Sequence, residues 1–486
     1  MSKIDRRRFL GLAIPGVTAL AAGCGTPQTS LRASSFRLAT FSADVTPPLG
    51  HALMGGGIAS AARVDDPLFA HGVVLLGADK PLVLLSMDWC EIRNDAYERW
   101  RSVLAKAAGT DPRRVLLTCV HVHDAPIADL EAQRLLERRQ AAGSICDLDF
   151  HERAVQRVAR ALRTSLDSSR RITHFGTGLG RVEQVASNRR FLGGDGQPTF
   201  GRTSSTRDPL AHAAPEGTVD PWLRTLSFWE NNRPVAALHC YATHPMSYYG
   251  KGGVSSDFVG MARRKMQAQD PTVVQIYCSG CSGNVTAGKY NDGASENRPV
   301  LAQRIYAAMS QAWQATRRYP LNQAAFRSTP LDLQPRTGPG FTVAELERRL
   351  ASDPKPFGQC LAALGLSWHK RAAAGRPIDL PLIDFGEAKL LLLPAEAYVE
   401  YQLFAQEQHS GSFVMVMGYG ECAPGYIPTE KAWQENDTNL HDWCWVAPGS
   451  ELRMKEAIHR VLAPNPEGIP QQSPGLSRKA GSDPGK

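Results

Sequence analysis

Apolar residues recur along the chain in two rhythms. Short unbroken runs, GVVLLG (72–77), PLVLLSMD (81–88) and RVLLTCVHVH (114–123), predict strands. DAYERWRSVLAKAAG, between the last two, and DLDFHERAVQRVARALRTSL (147–166) have helical spacing, and the first ends at a glycine. TLSFWE and PVAALHCYATHP flank NNRP and predict a hairpin. FVGMARRKMQAQ predicts a helix, TVVQIYCSG a strand and RPVLAQRIYAAMSQAWQATR a long helix. The stretch 320–380 is less regular, with helices at TVAELERRLASD and around CLAALGLSWHKRAAAG. LPLIDFGEAKLLLLPAEAYVEYQLFAQEQ then returns to strand, turn and helix, and FVMVMGYG predicts a further buried strand. Strands alternating with helices place the chain in the α/β class, as a single large layered domain with a mixed β-sheet and flanking helices. No internal repeat is visible.

The N-terminus, MSKIDRRRFLGLAIPGVTALAAGC, changes the picture of where the domain works. Three arginines precede an apolar stretch of about a dozen residues, too short to span a bilayer, so 1–23 reads as an export leader. DRRRFLGLA resembles a twin-arginine signal, which implies export of a folded protein. LAAGC (20–24) resembles the box before a lipid-modified cysteine, making Cys24 the expected acylated first residue and membrane anchor of a periplasmic lipoprotein. Plain cleavage near Ala22, releasing a soluble exported protein, is the alternative. Residues 24–35 read as a flexible spacer, 36–463 as the folded domain, and the Pro/Gly/Ser-rich 464–486 as a disordered tail.

The composition, 43% hydrophobic and 21% charged, is that of a globular protein. The net charge of +8 falls to +5 once Lys3, Arg6, Arg7 and Arg8 are set against Asp5 and removed with the leader. No basic block remains, so nucleic acid is not an indicated partner. Nine cysteines follow Cys24: Cys90, Cys119, Cys146, Cys240, Cys278, Cys281, Cys360, Cys422 and Cys444. Most sit in apolar runs, where a free thiol acts as a small buried hydrophobe, and no disulfide pairing is specified. Cys278 and Cys281 form a C-x-x-C with no second pair to complete a zinc site.

The candidate chemistry lies at strand ends. His121 and His123, two residues apart, are expected on one face of a strand, with Asp124 on the other. His244 closes the run AALHCYATHP and Glu396 follows KLLLLP. Two histidines and a carboxylate from three separate strands are the ligand types of a catalytic zinc. Singly, each has an ordinary reading as a solvated strand end, a cap or an exposed acid at a helix start. The turn CSGNVTAG (281–288) adds Gly283, Asn284 and Thr286, where small residues would let backbone N–H groups approach a substrate oxygen.

DVTPPLG (44–50), VHVHDAP (120–126), ASNRR (186–190), ATHP (242–245), CSGNVTAG, LLPAEAY (392–398) and GYIPTEKAW (425–433) occur in one order over about 40–450. In that order they resemble the N-terminal catalytic domain of the neutral/alkaline non-lysosomal ceramidase family. The resemblance implies zinc held by His121, His244 and Glu396, with Tyr426 the nearest match to a tyrosine ligand. It implies His123 as the group that activates water, and Asn188 and Arg189 as substrate contacts. Arg189 would stabilise the oxyanion, and Asn284 or Thr286, beside Gly283, would orient the substrate. The expected activity is zinc-dependent hydrolysis of an amide or related bond in a small-molecule or lipid-like N-acyl substrate. The family's Gly-Asp-Val-Ser reads here as Gly283-Asn284-Val285-Thr286, and no counterpart of its C-terminal β-sandwich is expected after about 460. Both departures weigh against ceramide itself. Two other readings stand beside this one: a barrel-type amidohydrolase, which also carries His-x-His, and a surface-anchored binding protein that kept the fold and lost turnover.

Overall fold

The computed structural model describes residues 36–463; the leader, the spacer with Cys24 and the tail lie outside the described residues. Three mixed sheets organise these residues. The first runs, edge to edge, Val115–Cys119, Leu82–Met87, Phe69–Leu76, Arg37–Asp44 and Arg170–Arg171. The second runs Val274–Ser279, Arg233–Tyr241, Trp222–Glu230, His174–Arg181 and Arg317–Pro320. The third runs Ala325–Leu331, Ile378–Asp384, Ala388–Leu392 and Phe413–Met417. Each sheet is antiparallel except for one parallel pair at an edge: Leu82–Met87 with Val115–Cys119, Arg233–Tyr241 with Val274–Ser279, and Ala388–Leu392 with Phe413–Met417.

The apolar runs are unbroken because both faces of these strands are buried. Leu82 and Leu84 face a core shared by all three sheets, together with Leu116, Leu238, Ile276, Leu390 and Met415. Val83 and Leu85, pointing the other way, join a second core that includes Trp100, Val155 and Leu162 of the helices. Asn94–Ala108 and Leu148–Asp167 pack on the first sheet, Asp257–Gln269 and Asn297–Gln314 on the second, and Val399–Glu407 and Ser450–Leu462 on the third. The expected helix over 147–166 is capped by Asp147, which accepts from the Phe150 N–H, and Gly109 closes the preceding one at φ +68°. The hairpin around NNRP forms as expected, with Glu230 opposite Arg233. Mixed sheets in this strand order are not a barrel of parallel strands, which removes the barrel alternative. All nine cysteines beyond Cys24 are buried free thiols.

The three parallel pairs are tied together at their carboxyl ends. The Cys119 N–H donates to the Tyr419 carbonyl (3.0 Å) and the Gly418 N–H to the Ser279 carbonyl (2.9 Å). The Ser279 hydroxyl donates to the Val120 carbonyl (2.7 Å), closing the ring of contacts. Segments leaving three different sheets therefore meet at one place, the kind of crevice beyond carboxyl ends where α/β sheets bind ligands.

Candidate metal centre

The strand leading to the two histidines ends earlier than its sequence pattern implies, at Cys119. His121 has a left-handed backbone, φ +68°, fixed by its N–H donating to the Trp89 carbonyl (3.0 Å). Strand alternation therefore does not place the pair. The rings nevertheless stand 5.2 Å apart, edge to face. Ala395, just before Glu396, and Tyr419 are left-handed as well, at φ +51° and +55°. Such backbone is costly for residues other than glycine, and three instances border this one point.

His121 donates from Nδ1 to the Cys90 carbonyl (3.0 Å), and His244 from Nδ1 to the Ser282 carbonyl (2.5 Å). A carbonyl can only accept, so each ring carries its hydrogen on Nδ1 and presents a bare Nε2. Both Nε2 atoms face the same oxygen, Oε2 of Glu396, at 3.4 and 2.9 Å. Three lone pairs aimed at one buried point require a positive charge between them. A proton on His121 Nε2 is one such charge, because the Glu396 carboxylate outweighs burial and raises the pKa of that ring; a metal cation is another. Burial and then Arg189 push His244 down to about 4. Ligand atoms about 2.0–2.1 Å from a zinc ion stand about 3.3 Å from one another, so this trio fits such an ion. Cys90, His121 and His123 form a second close trio, but burial and the Glu91 and Glu396 carboxylates hold the Cys90 sulfur as a thiol.

His123 is driven well below its ordinary value by burial and by its two histidine neighbours, and its Nδ1 has no partner among the described residues. Glu396 pairs through its backbone with Tyr426 in a short parallel bridge. Arg189 reaches the same point: Nη1 donates to the Tyr426 hydroxyl (2.7 Å) and to Asn439 Oδ1 (3.0 Å), and Nη2 lies 3.4 Å from His244 Nε2. His121, His123, His244, Glu396, Tyr426 and Arg189 are thus brought together.

The other expected site residues point elsewhere. Asn284 donates to Glu400 (2.9 Å) and accepts from the Val399 N–H (2.9 Å), opening the helix that follows Glu396. Thr286 donates to the Thr203 carbonyl (2.6 Å), and Asn188 donates to the Thr218 carbonyl (2.9 Å). Gly283 gives its N–H to the Ala397 carbonyl, and a Cβ there would lie 2.1 Å from the Glu396 carbonyl oxygen. The glycine-rich turn lets Glu396 approach closely and offers the Ser282 carbonyl to His244.

Asp124, expected outside the site, accepts from the Gly250 N–H (2.8 Å) and lies 3.8 Å from Arg298. Burial raises it from 3.8 to about 6, so the folded chain holds its proton more tightly than the unfolded chain. Stability should therefore fall as pH rises from about 4 to 6. In urea titrations, wild type should lose up to about 2 kcal/mol relative to Asp124→Asn over that window. Parallel curves for the two proteins would refute this.

Sequence reasoning missed several groups. Tyr419 stacks on His121 at 4.3 Å and bonds Ser282 through its hydroxyl, and the GYG that follows a buried strand was its only signal. Glu91, fully buried, lies 4.0 Å from His121 Nδ1 and is paired with Arg93 at 2.7 Å. It follows its strand closely, as His121 follows another. Met54, Phe357 and Trp443 complete a cavity of about 190 Å³ over the centre, lined also by Cys90, His121, His123, Glu396 and Tyr426.

No protein-family model and no curated protein matches the sequence. The described architecture does match the crystal structure of neutral ceramidase from Pseudomonas aeruginosa. The TM-score is 0.64 at 17% identity, covering 88% of this chain and 74% of that one. The fold is neutral-ceramidase-like. A structure of a ceramidase complexed with C2 matches with the same figures. Within this neutral-ceramidase-like fold, the histidine and glutamate segments occupy the meeting point of the three sheets.

Proposed function

We propose that the chain is a zinc-dependent hydrolase of an N-acyl or related bond. The observation that carries this is the convergence of His121 Nε2, His244 Nε2 and Glu396 Oε2, with both Nδ1 hydrogens committed to backbone carbonyls. The ceramidase-like fold and the cavity over this point support it. A zinc ion held by these three residues would polarise an acyl oxygen and lower the pKa of a water from about 15.7 toward about 7. His123, held neutral by burial and its two histidine neighbours, takes the proton from the attacking water and returns it to the leaving nitrogen as the C–N bond breaks. Arg189 holds a fixed positive charge at the same point and stabilises the oxyanion, either directly or through the Tyr426 hydroxyl. Tyr426 stands where it can complete the ligand set. In this reading Gly283 and Asn284 of the GNVT turn brace the segment that carries Glu396, so the departure from the family pattern does not argue against turnover.

The test is a hydrolysis screen over N-acyl lipids, N-acyl amino acids and acylated sugars, with wild type beside Glu396→Ala. Zinc-dependent turnover by wild type alone is expected; none on any substrate would leave the binding-protein reading. The twin-arginine-like leader and the LAAGC box support a reading in which this hydrolase is exported and tethered through Cys24. Palmitate incorporation that persists in Cys24→Ser would remove the tether.

A further inference from the structure

The cavity has two unlike walls. One carries the ligands, His123 and Tyr426; the other is Met54, Phe357 and Trp443. Phe357 and Trp443 stack at 6.1 Å with 22° between their planes. The indole N–H is turned to Glu91 (3.3 Å), away from use by a ligand, and Arg93 sits over the same ring at 5.8 Å. This wall therefore offers rings and a thioether and no hydrogen bond. It is also firmly seated. Met54, Gly55 and Gly56 are all left-handed, at φ +45°, +62° and +84°. A Cβ on Gly57 would lie 2.7 Å from the Met54 methyl and 2.8 Å from the Phe357 ring. At about 190 Å³ the cavity is smaller than the roughly 300–1,000 Å³ usual for sites that enclose a drug-sized ligand.

We propose that this wall is an acyl pocket of limited size, which selects a short or compact apolar acyl group over a long fatty acyl chain. The proposal rests on the hydrolase reading for its chemistry and on the cavity for its size. Met54, Phe357 and Trp443 are its specificity residues.

Two series of probes test it on the zinc-loaded protein: p-nitroanilides of acetate, butanoate, hexanoate, octanoate and palmitate, and hydroxamates of the same acids, followed by calorimetry. The expected kcat/KM rises roughly fourfold per methylene up to hexanoyl and then levels or falls, because only buried methylenes contribute. Phe357→Ala should move the maximum to longer chains. Gly57→Ala, whose φ of −79° suits alanine, should press Met54 and Phe357 into the cavity and move it to shorter ones. Should Gly57→Ala not fold, Phe357→Leu takes its place, with a smaller lengthening expected. Values climbing steadily to palmitoyl, or variants that lower every chain length equally, would overturn the pocket while leaving the hydrolase intact. If no anilide turns over but hydroxamate affinity peaks near hexanoyl, the pocket stands and the hydrolase reading falls. Hydroxamates that bind without regard to length, or not at all, overturn the pocket.

Discussion

His244→Ala and His121→Ala should each lower bound zinc from about one ion per chain to less than about a tenth, and turnover by roughly 10³-fold or more. Each substitution removes one of three donors and leaves the remaining two aimed at a point they cannot hold alone. Elemental analysis of the purified proteins reads the first effect and the hydrolysis assay the second. The control lies on the same strand: His239 is equally buried but is held by Thr225 and Gln275, each at 2.8 Å. His239→Gln should keep its zinc. Retention of full metal by both alanine variants would dismiss the centre, whatever happened to activity.

Arg93→Ala should cost about 3–5 kcal/mol of stability, read from urea midpoints with an unchanged m-value. Its guanidinium is fully buried, pairs with Glu91 at 2.7 Å and Asp129 at 3.8 Å, and donates to the Ala423 carbonyl at 2.7 Å. It also lies 4.6 Å from the centre of the Trp445 ring. Removing it strands two buried carboxyl groups, and burial already raises both. Glu91 also holds the Trp443 indole, so the loss should reach the cavity wall and raise KM more than it lowers kcat. A stability change below about 1 kcal/mol would mean that the pair is not buried as described.

Much of this was legible in the sequence, though for reasons that differed in detail. Unbroken apolar runs marked the strands because both faces are covered, and helical spacing marked the main helices. Ala325–Leu331 was hidden because it is half-exposed and contains Pro330, so neither alternation nor a long apolar run reveals it. His121, His244 and Glu396 were legible as ligand types at strand ends. The left-handed turn that aims His121 was not, because it depends on a hydrogen bond to Trp89, in a different segment. Arg189 came from the resemblance alone. It arrives from Ser187–Asn188, which pairs with Val285–Thr286, a long-range contact that no local pattern announces. Met54, Phe357 and Trp443 read as ordinary apolar residues. They become a wall only when segments hundreds of residues apart close over the centre.

Those distant segments also carry a consequence for biogenesis. The proposed ligands His121, His244 and Glu396 lie up to 275 positions apart, one following a strand of each sheet's parallel pair. No single sheet supplies two of them, so in the proposed centre full ion capture would wait for docking of all three sheets. In the proposed centre a bound ion would tie the sheets into a single mechanical unit and add about 4 kcal/mol when free metal stands at a thousand times its dissociation constant. Chelation would then act as a remote trigger for unfolding. The rate of zinc uptake after dilution from denaturant would serve as a clock for the last step of assembly.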